Sequence, residues 1–291
     1  MILFKKLAFA PLFLITFAVL LYQLIPLLKS YDLIFSPNLD TLAQLIIVSI
    51  LFIASASLFV IFVTLAQNWK MALPVGVIAA AETLVFLNLS SALIFVVGIL
   101  ASISLIVVIL DSTFGSYLNF QPGKVLGPSV KLLSMLLILS FCVVYFFAVT
   151  KIITQNGFEI PDSLIDTALK MSPATSTQLP DIPPEQIELL RQNPQALKQS
   201  GLDPKMLDSL SLPANELLKQ EVKNQLQSLI KPYQNFVPLI LTVLLFFMLQ
   251  FFTSIINIFI SPLLALLFLI LEKTGYTRYE IEKREVKKLV V

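Results

Sequence analysis

The chain has 291 residues, 57% of them apolar and 13% charged, with a mean hydropathy of +0.89. These values lie outside the range of soluble domains, and a net charge of +2 gives no electrostatic case for a nucleic-acid partner. Histidine is absent and Cys142 is the only cysteine. That excludes Ser-His and Cys-His nucleophile pairs, imidazole proton relays, the two-histidine zinc motif and any intrachain disulfide.

Lys5 and Lys6 precede an apolar run over residues 7–28. Signal cores have ~7–15 residues; this run is longer, and no small-x-small cleavage site follows it, so it reads as a retained first transmembrane helix. Pro11 falls in its first turn, where proline is tolerated, and Pro26 kinks or ends it. Residues 29–40 form a short polar loop. Residues 42–65 are a second span, bounded by Gln67-Asn68-Trp69-Lys70, with Trp69 suited to the headgroup interface.

The next forty residues, 71–110, carry one charge, Glu82. At ~1.5 Å per residue a single rod would reach ~60 Å, roughly twice a bilayer's hydrocarbon core. The stretch must fold back, and Asn88-Leu89-Ser90-Ser91 is the polar cluster that offers a turn. Two spans, 71–87 and 92–110, follow. Residues 111–131 contain Gly115, Pro122, Gly123, Gly127 and Pro128, turn chemistry that predicts a loop. Lacking a Lys-Ser/Thr pair, it is not a phosphate-binding loop. Residues 132–150 make the fifth span.

Composition then changes. Residues 151–235 are the long hydrophilic region, with ten acids from Glu159 to Glu221 against seven bases from Lys170 to Lys231. Pro184, Pro194, Pro204 and Pro213 recur every nine or ten residues. Asn193-Pro194 and Asp203-Pro204 each put a capping side chain before a proline at the first helical position. Ile187, Leu197 and Leu207 each follow three residues after a proline, so a string of short helices would present one apolar ridge. The punctuation over 184–210 is similar to the small helical modules of heat-shock co-chaperones and ubiquilins. That resemblance implies a surface for apolar helices of other proteins. Residues 214–230 form an amphipathic helix with Leu218, Val222, Leu226 and Leu229 on one face.

Residues 236–271 are again too long for one crossing. Ser261-Pro262 interrupts them, which predicts a sixth span over 236–260, a kinked interfacial extension, and a tail over 272–291. Six spans gather Lys5, Lys6, Lys70, Lys124, Lys131 and the six basic residues of the tail on one side, so both termini are expected in the cytoplasm.

The expected fold is therefore an all-α, polytopic integral membrane protein. It has about six transmembrane helices and a small extracytoplasmic helical domain between the fifth and sixth. Short inner loops and the lack of histidine and disulfides suit a prokaryotic plasma membrane. Glu82 is the one carboxylate well inside an apolar span. Gln250, Thr253, Ser254 and Asn257 recur on the last span at i, i+3, i+4 and i+7. Such groups serve either as interhelical hydrogen-bonding glue or as a polar pathway. No catalytic constellation, metal set or cofactor motif stands out. The expected role is a non-enzymatic scaffold or accessory subunit whose residues 184–230 contact another envelope protein. The alternative is a small-solute or ion transporter using Glu82.

Overall fold

The computed structural model describes residues 6–35, 39–67, 69–116, 120–162, 164–165 and 214–278. Among them almost everything is helical and no strand occurs. In chain order the helices are α1 (Phe9–Lys29), α2 (Asp32–Phe35), α3 (Leu39–Ala66), α4 (Trp69–Phe86), α5 (Leu89–Ser116), α6 (Pro122–Asn156), α7 (Ala214–Ile230) and α8 (Val237–Lys273). A 3-10 turn over Lys231–Phe236 lies between α7 and α8 and has Pro at its start, where a missing N–H costs nothing. Five helical stretches are long and apolar enough to cross a bilayer: Phe9–Lys29, Leu39–Ala66, Leu89–Phe114, Pro122–Asn156 and Val222–Lys273. Helix α4, with 18 residues, would span ~27 Å, just under the ~30 Å of a hydrocarbon core.

Local chemistry explains where these helices stop. Helix α3 ends at Gln67, which adopts φ 50° and donates its N–H to Val63 O at 3.1 Å. This is the left-handed closure normally given to glycine. Leu87 N–H closes α4 on Thr83 O, and Ala92 N–H opens α5 on Asn88 O, leaving only Leu87 and Asn88 between the two helices. Gly157 (φ 78°) terminates α6 through a bond to Ile153 O. At the end of α8, Gly275 (φ 68°) donates to Glu272 O and Tyr276 to Leu271 O, the paired bonds of a Schellman motif.

Two expectations change. Residues 111–131 are not a loop: α5 runs on to Ser116 and α6 begins at Pro122, leaving little between. Gln121 is the cap, its carbonyl accepting from Lys124 and Val125, and Pro122 takes the first helical position. Gly123 there serves close approach rather than turning. Nor does Ser261-Pro262 break the last run, because α8 is one helix of 37 residues with Pro262 inside it. Its ~55 Å length exceeds a single hydrocarbon core.

The chain divides into two compact units. The first comprises Met1–Lys29, Leu42–Tyr145 and Thr242–Val291; the second comprises Ser30–Thr41 and Phe146–Leu241. In the first, neighbouring helices can be ordered from their contacts. Helix α4 packs on α1 and on α5. Gly98 of α5 meets Ser140 of α6, and Gly123 of α6 meets Ser261 of α8. Phe9 of α1 shares a groove with Leu263, Leu266, Leu267, Ile270 and Leu271 of α8. The sequence α1, α4, α5, α6, α8 thus closes on itself around α3. Phe59 of α3 stacks on Phe13 of α1 (5.1 Å) and Phe52 on Phe141 of α6 (6.2 Å). From Phe52 onward α3 is buried on nearly every side, while Ile46, Ile47 and Ile50 nearer its start remain exposed.

The ring is tight where side chains are missing. A Cβ on Gly98 would stand 2.5 Å from Ser140 Oγ, and one on Gly123 would stand 2.5 Å from the carbonyl oxygen of Ser261. Small residues let helix backbones approach in this way, and dispersion then replaces the hydrophobic drive that lipid cannot supply. Helix α5 shows the matching seam: Ala92, Phe95, Ile99, Ile103, Ile106 and Leu110 are all buried, at spacings of three or four.

In the second unit three separated segments are tied together. The Tyr31 hydroxyl donates to Glu159 O (3.1 Å) and accepts from Glu159 N–H (3.3 Å), satisfying both backbone groups of one residue. Its ring packs on Phe158 at 5.5 Å. Gln227 of α7 donates to Phe158 O (3.0 Å), and Lys223 pairs with Asp162 at 3.1 Å. Phe158, Ile160 and Ile165 are buried behind these contacts.

Candidate functional site

Helix α4 buries Ala72, Val75, Ala79 and Thr83 as one ridge. At ~100° per residue, Glu82 sits on the flank of that ridge, about a quarter turn from its centre. The side chain is half-buried: Oε2 is sealed from solvent and has no hydrogen-bond partner. Beside it at i−4 and i+3, Ile78 and Val85 are exposed, Val85 at 81%. Glu82 therefore lies at the surface of the ring, ~6 Å from the Phe86 end of its helix. An acid at the centre of a spanning helix costs about 2.5–3.5 kcal/mol on insertion scales, so an uncovered position is expensive.

Helix α8 presents a different polar group. Leu241, Leu245, Leu249, Thr253, Ile260, Leu264 and Phe268 form its buried stripe, and Asn257 takes the place between Thr253 and Ile260. Both amide atoms of Asn257 and Oε1 of Gln250 are buried without a hydrogen-bond partner. Thr253 satisfies itself on Leu249 O (2.9 Å) and Gln250 O (3.1 Å). Ser254, beside them, is exposed. On α3, the hydroxyls of Ser49, Ser55 and Ser57 are also buried without partners, unlike Thr64, which bonds back to Val60 O at 2.7 Å.

No hydrogen bond joins Glu82 Oε2 to Gln250 Oε1 or to the amide of Asn257, and in the ring α1 stands between α4 and α8. The residues singled out in sequence thus form two places: a carboxyl on the ring's surface and an amide pair within its wall. Among the described residues, no three His, Cys, Asp or Glu side chains converge to hold a metal ion. Ile187, Leu197 and Leu207 lie outside the described residues.

Sequence reasoning missed the tyrosine clamp on Glu159, which joins positions 128 apart and leaves no local pattern. It also missed the helix contacts at Gly98 and Gly123. The second had a signal, since Gly123 and Gly127 have the small-xxx-small spacing of close helix pairs.

In the second unit, burial holds the Tyr31 phenol above its ordinary pKa of 10.0, outweighing the backbone bond from Glu159. Asp162 moves the other way: its hydrogen bond and charge contact with Lys223 hold it below the usual carboxylate range. Comparison of the chain with protein-family models, with curated proteins and with solved structures finds no match.

Proposed function

We propose that this protein is a non-enzymatic accessory or scaffold subunit of a plasma membrane. In this reading it crosses six times with both termini in the cytoplasm, α4 being the short third crossing. The second unit then stands on the external face and contacts another envelope protein. The observation that carries the reading is the bracing of that unit. Tyr31, the 157–165 segment and α7 are cross-tied by a two-way phenol bond, an amide bond and an ion pair. Side-chain bonds over such separations hold an element in one place, which a contact surface needs and a mere connector does not. Leu229 of α7, 67% exposed, offers such a surface an apolar contact.

Reporter fusions after Ser90 and after Leu210 are expected on the external side, and a cytosolic signal from either removes the topology. A photo-crosslinker at Leu229 in native membranes is expected to yield one discrete heteromeric adduct. Adducts with lipid or with other copies of the chain alone overturn the contact role.

Transport is the second reading, and the buried partnerless atoms of Gln250 and Asn257 favour it, because water or a polar solute would satisfy them. It requires Glu82→Gln to abolish solute flux in reconstituted vesicles. Unchanged flux in that variant, or none in the unaltered protein, removes it.

A further inference from the structure

The Glu82 carboxyl is at once sealed and uncovered. Oε2 is buried with no donor to meet it, while the residue as a whole is only half-buried and its helical neighbours Ile78 and Val85 are exposed. Nothing in the chain's own apolar stretches can neutralise it: residues 7–28, 42–65, 71–110, 132–150 and 236–271 contain no lysine or arginine. A second copy of the chain pairing through the same face would bring another carboxyl to the first, and like charges in a low dielectric repel. The complement this position lacks is a cation delivered at the same depth by another apolar helix.

We propose that the outward face of α4, centred on Glu82 and bordered by Ile78, Ala81 and Val85, docks a transmembrane helix of a different protein that carries a lysine or arginine within its apolar span. Ala81, exposed beside Glu82, leaves room for that helix to come close. Desolvation strengthens the ion pair once both partners leave water, and it makes either partner costly when alone. Recognition is therefore coupled to assembly. This rests on the accessory-subunit reading and supplies the chemistry of its partner within the membrane.

The test uses the full chain reconstituted in phosphatidylcholine vesicles with two synthetic transmembrane peptides. One is a polyleucine helix with a single lysine about a turn from one end; the other has leucine there. Energy transfer from a donor on α4's connecting turn to labelled peptide reads association. The lysine peptide is expected to associate at least tenfold better than the leucine peptide. That preference is expected to vanish in Glu82→Gln, a variant of nearly the same shape, and to fall when the lysine is moved to mid-span. Equal association of the two peptides overturns the proposal, as does a preference that survives in Glu82→Gln. Glu82-dependent transfer between copies of the chain itself overturns it in favour of a symmetric pair. If the peptides show no preference while the Leu229 adduct persists, this docking face is removed and the accessory role stands. Should the adduct fail while the lysine preference holds, the external contact falls and the face remains.

Discussion

Thr64, Ser102, Ser140 and Thr253 in the helical ring give their hydroxyl protons to carbonyls four residues back on their own helices. Tyr31, Lys223 and Gln227 in the second unit instead reach across 128, 61 and 69 positions of sequence. The first pattern silences polar groups so that helices can meet as apolar surfaces. The second uses polar groups as the fastening itself. The ring therefore depends on shape, above all where a glycine admits a neighbour, while the second unit depends on donors, acceptors and charge. Substitutions that alter volume should damage one, and changes of hydroxyl or pH the other.

The sharpest break is expected from Ser55→Leu, which forces three extra carbons into the enclosed part of α3, where Ser55 has no exposed surface. Overpacking of this kind costs about 1–3 kcal/mol or more, and a central helix has nowhere to relax. The thermal midpoint in detergent should fall steeply, whereas Ile258→Phe on the exposed side of α8 should leave it within measurement.

Next comes Gly123→Ala, whose new methyl would meet the backbone carbonyl of Ser261, an atom that cannot rotate away. A loss of ~1–3 kcal/mol is expected from equilibrium unfolding in detergent. Gly98→Ala meets a side chain instead, so its smaller loss should be largely restored by Ser140→Gly, which removes both Oγ and Cβ. Failure of that rescue would mean that something other than contact sets the α5–α6 spacing.

In the second unit, Tyr31→Phe keeps the ring on Phe158 but deletes both bonds to Glu159, at a cost of about 1–2 kcal/mol. Proteolysis of the 157–165 segment should report it. The same phenol gives a pH signature. Its folded pKa is raised above the unfolded value near 10.0, so its contribution is complete below that pH and is lost as pH rises through the folded value. Alkaline loosening present in the natural chain and absent in Tyr31→Phe would confirm the sign.

The smallest effect runs the other way. Gln67→Gly should stabilise by up to about 1 kcal/mol, since Gln67 holds a left-handed backbone that glycine adopts freely. A loss would show that the Gln67 side chain has a contact of its own.

Much of the architecture could be read from lengths of apolar sequence. Forty residues with one charge cannot be one crossing, and the two-residue link at Leu87 and Asn88 falls within the reach of the polar cluster 88–91. Glycine and proline were harder, because they signal turns and close helix contacts with the same letters. Gly123 and Gly127 read as loop residues, yet Ser261 lies against the first of them.

Hydropathy also fails to separate lipid from protein as a solvent. The strongly apolar windows of α3 and of the Val222–Lys273 stretch are 67% and 17% buried, and nothing in their greasiness distinguishes them. The same residue type meets both: Phe52, Phe59 and Phe62 of α3 are enclosed, while Phe247, Phe251 and Phe259 of α8 face outward. For the candidate site, Glu82, Gln250 and Asn257 were visible as polar letters in apolar text. Whether they meet depends on the order of helices around the ring, which no local pattern carries.

That circular order has a bearing on biosynthesis. Helix α3 leaves the ribosome early, yet α8, which occupies the place between α6 and α1, emerges only after the whole 157–236 stretch has been made. Until then the nascent assembly carries an open slot, and lipid or an insertion factor must stand in for the missing wall. Truncated chains ending before Val237 should accordingly be favoured prey for membrane quality-control proteases.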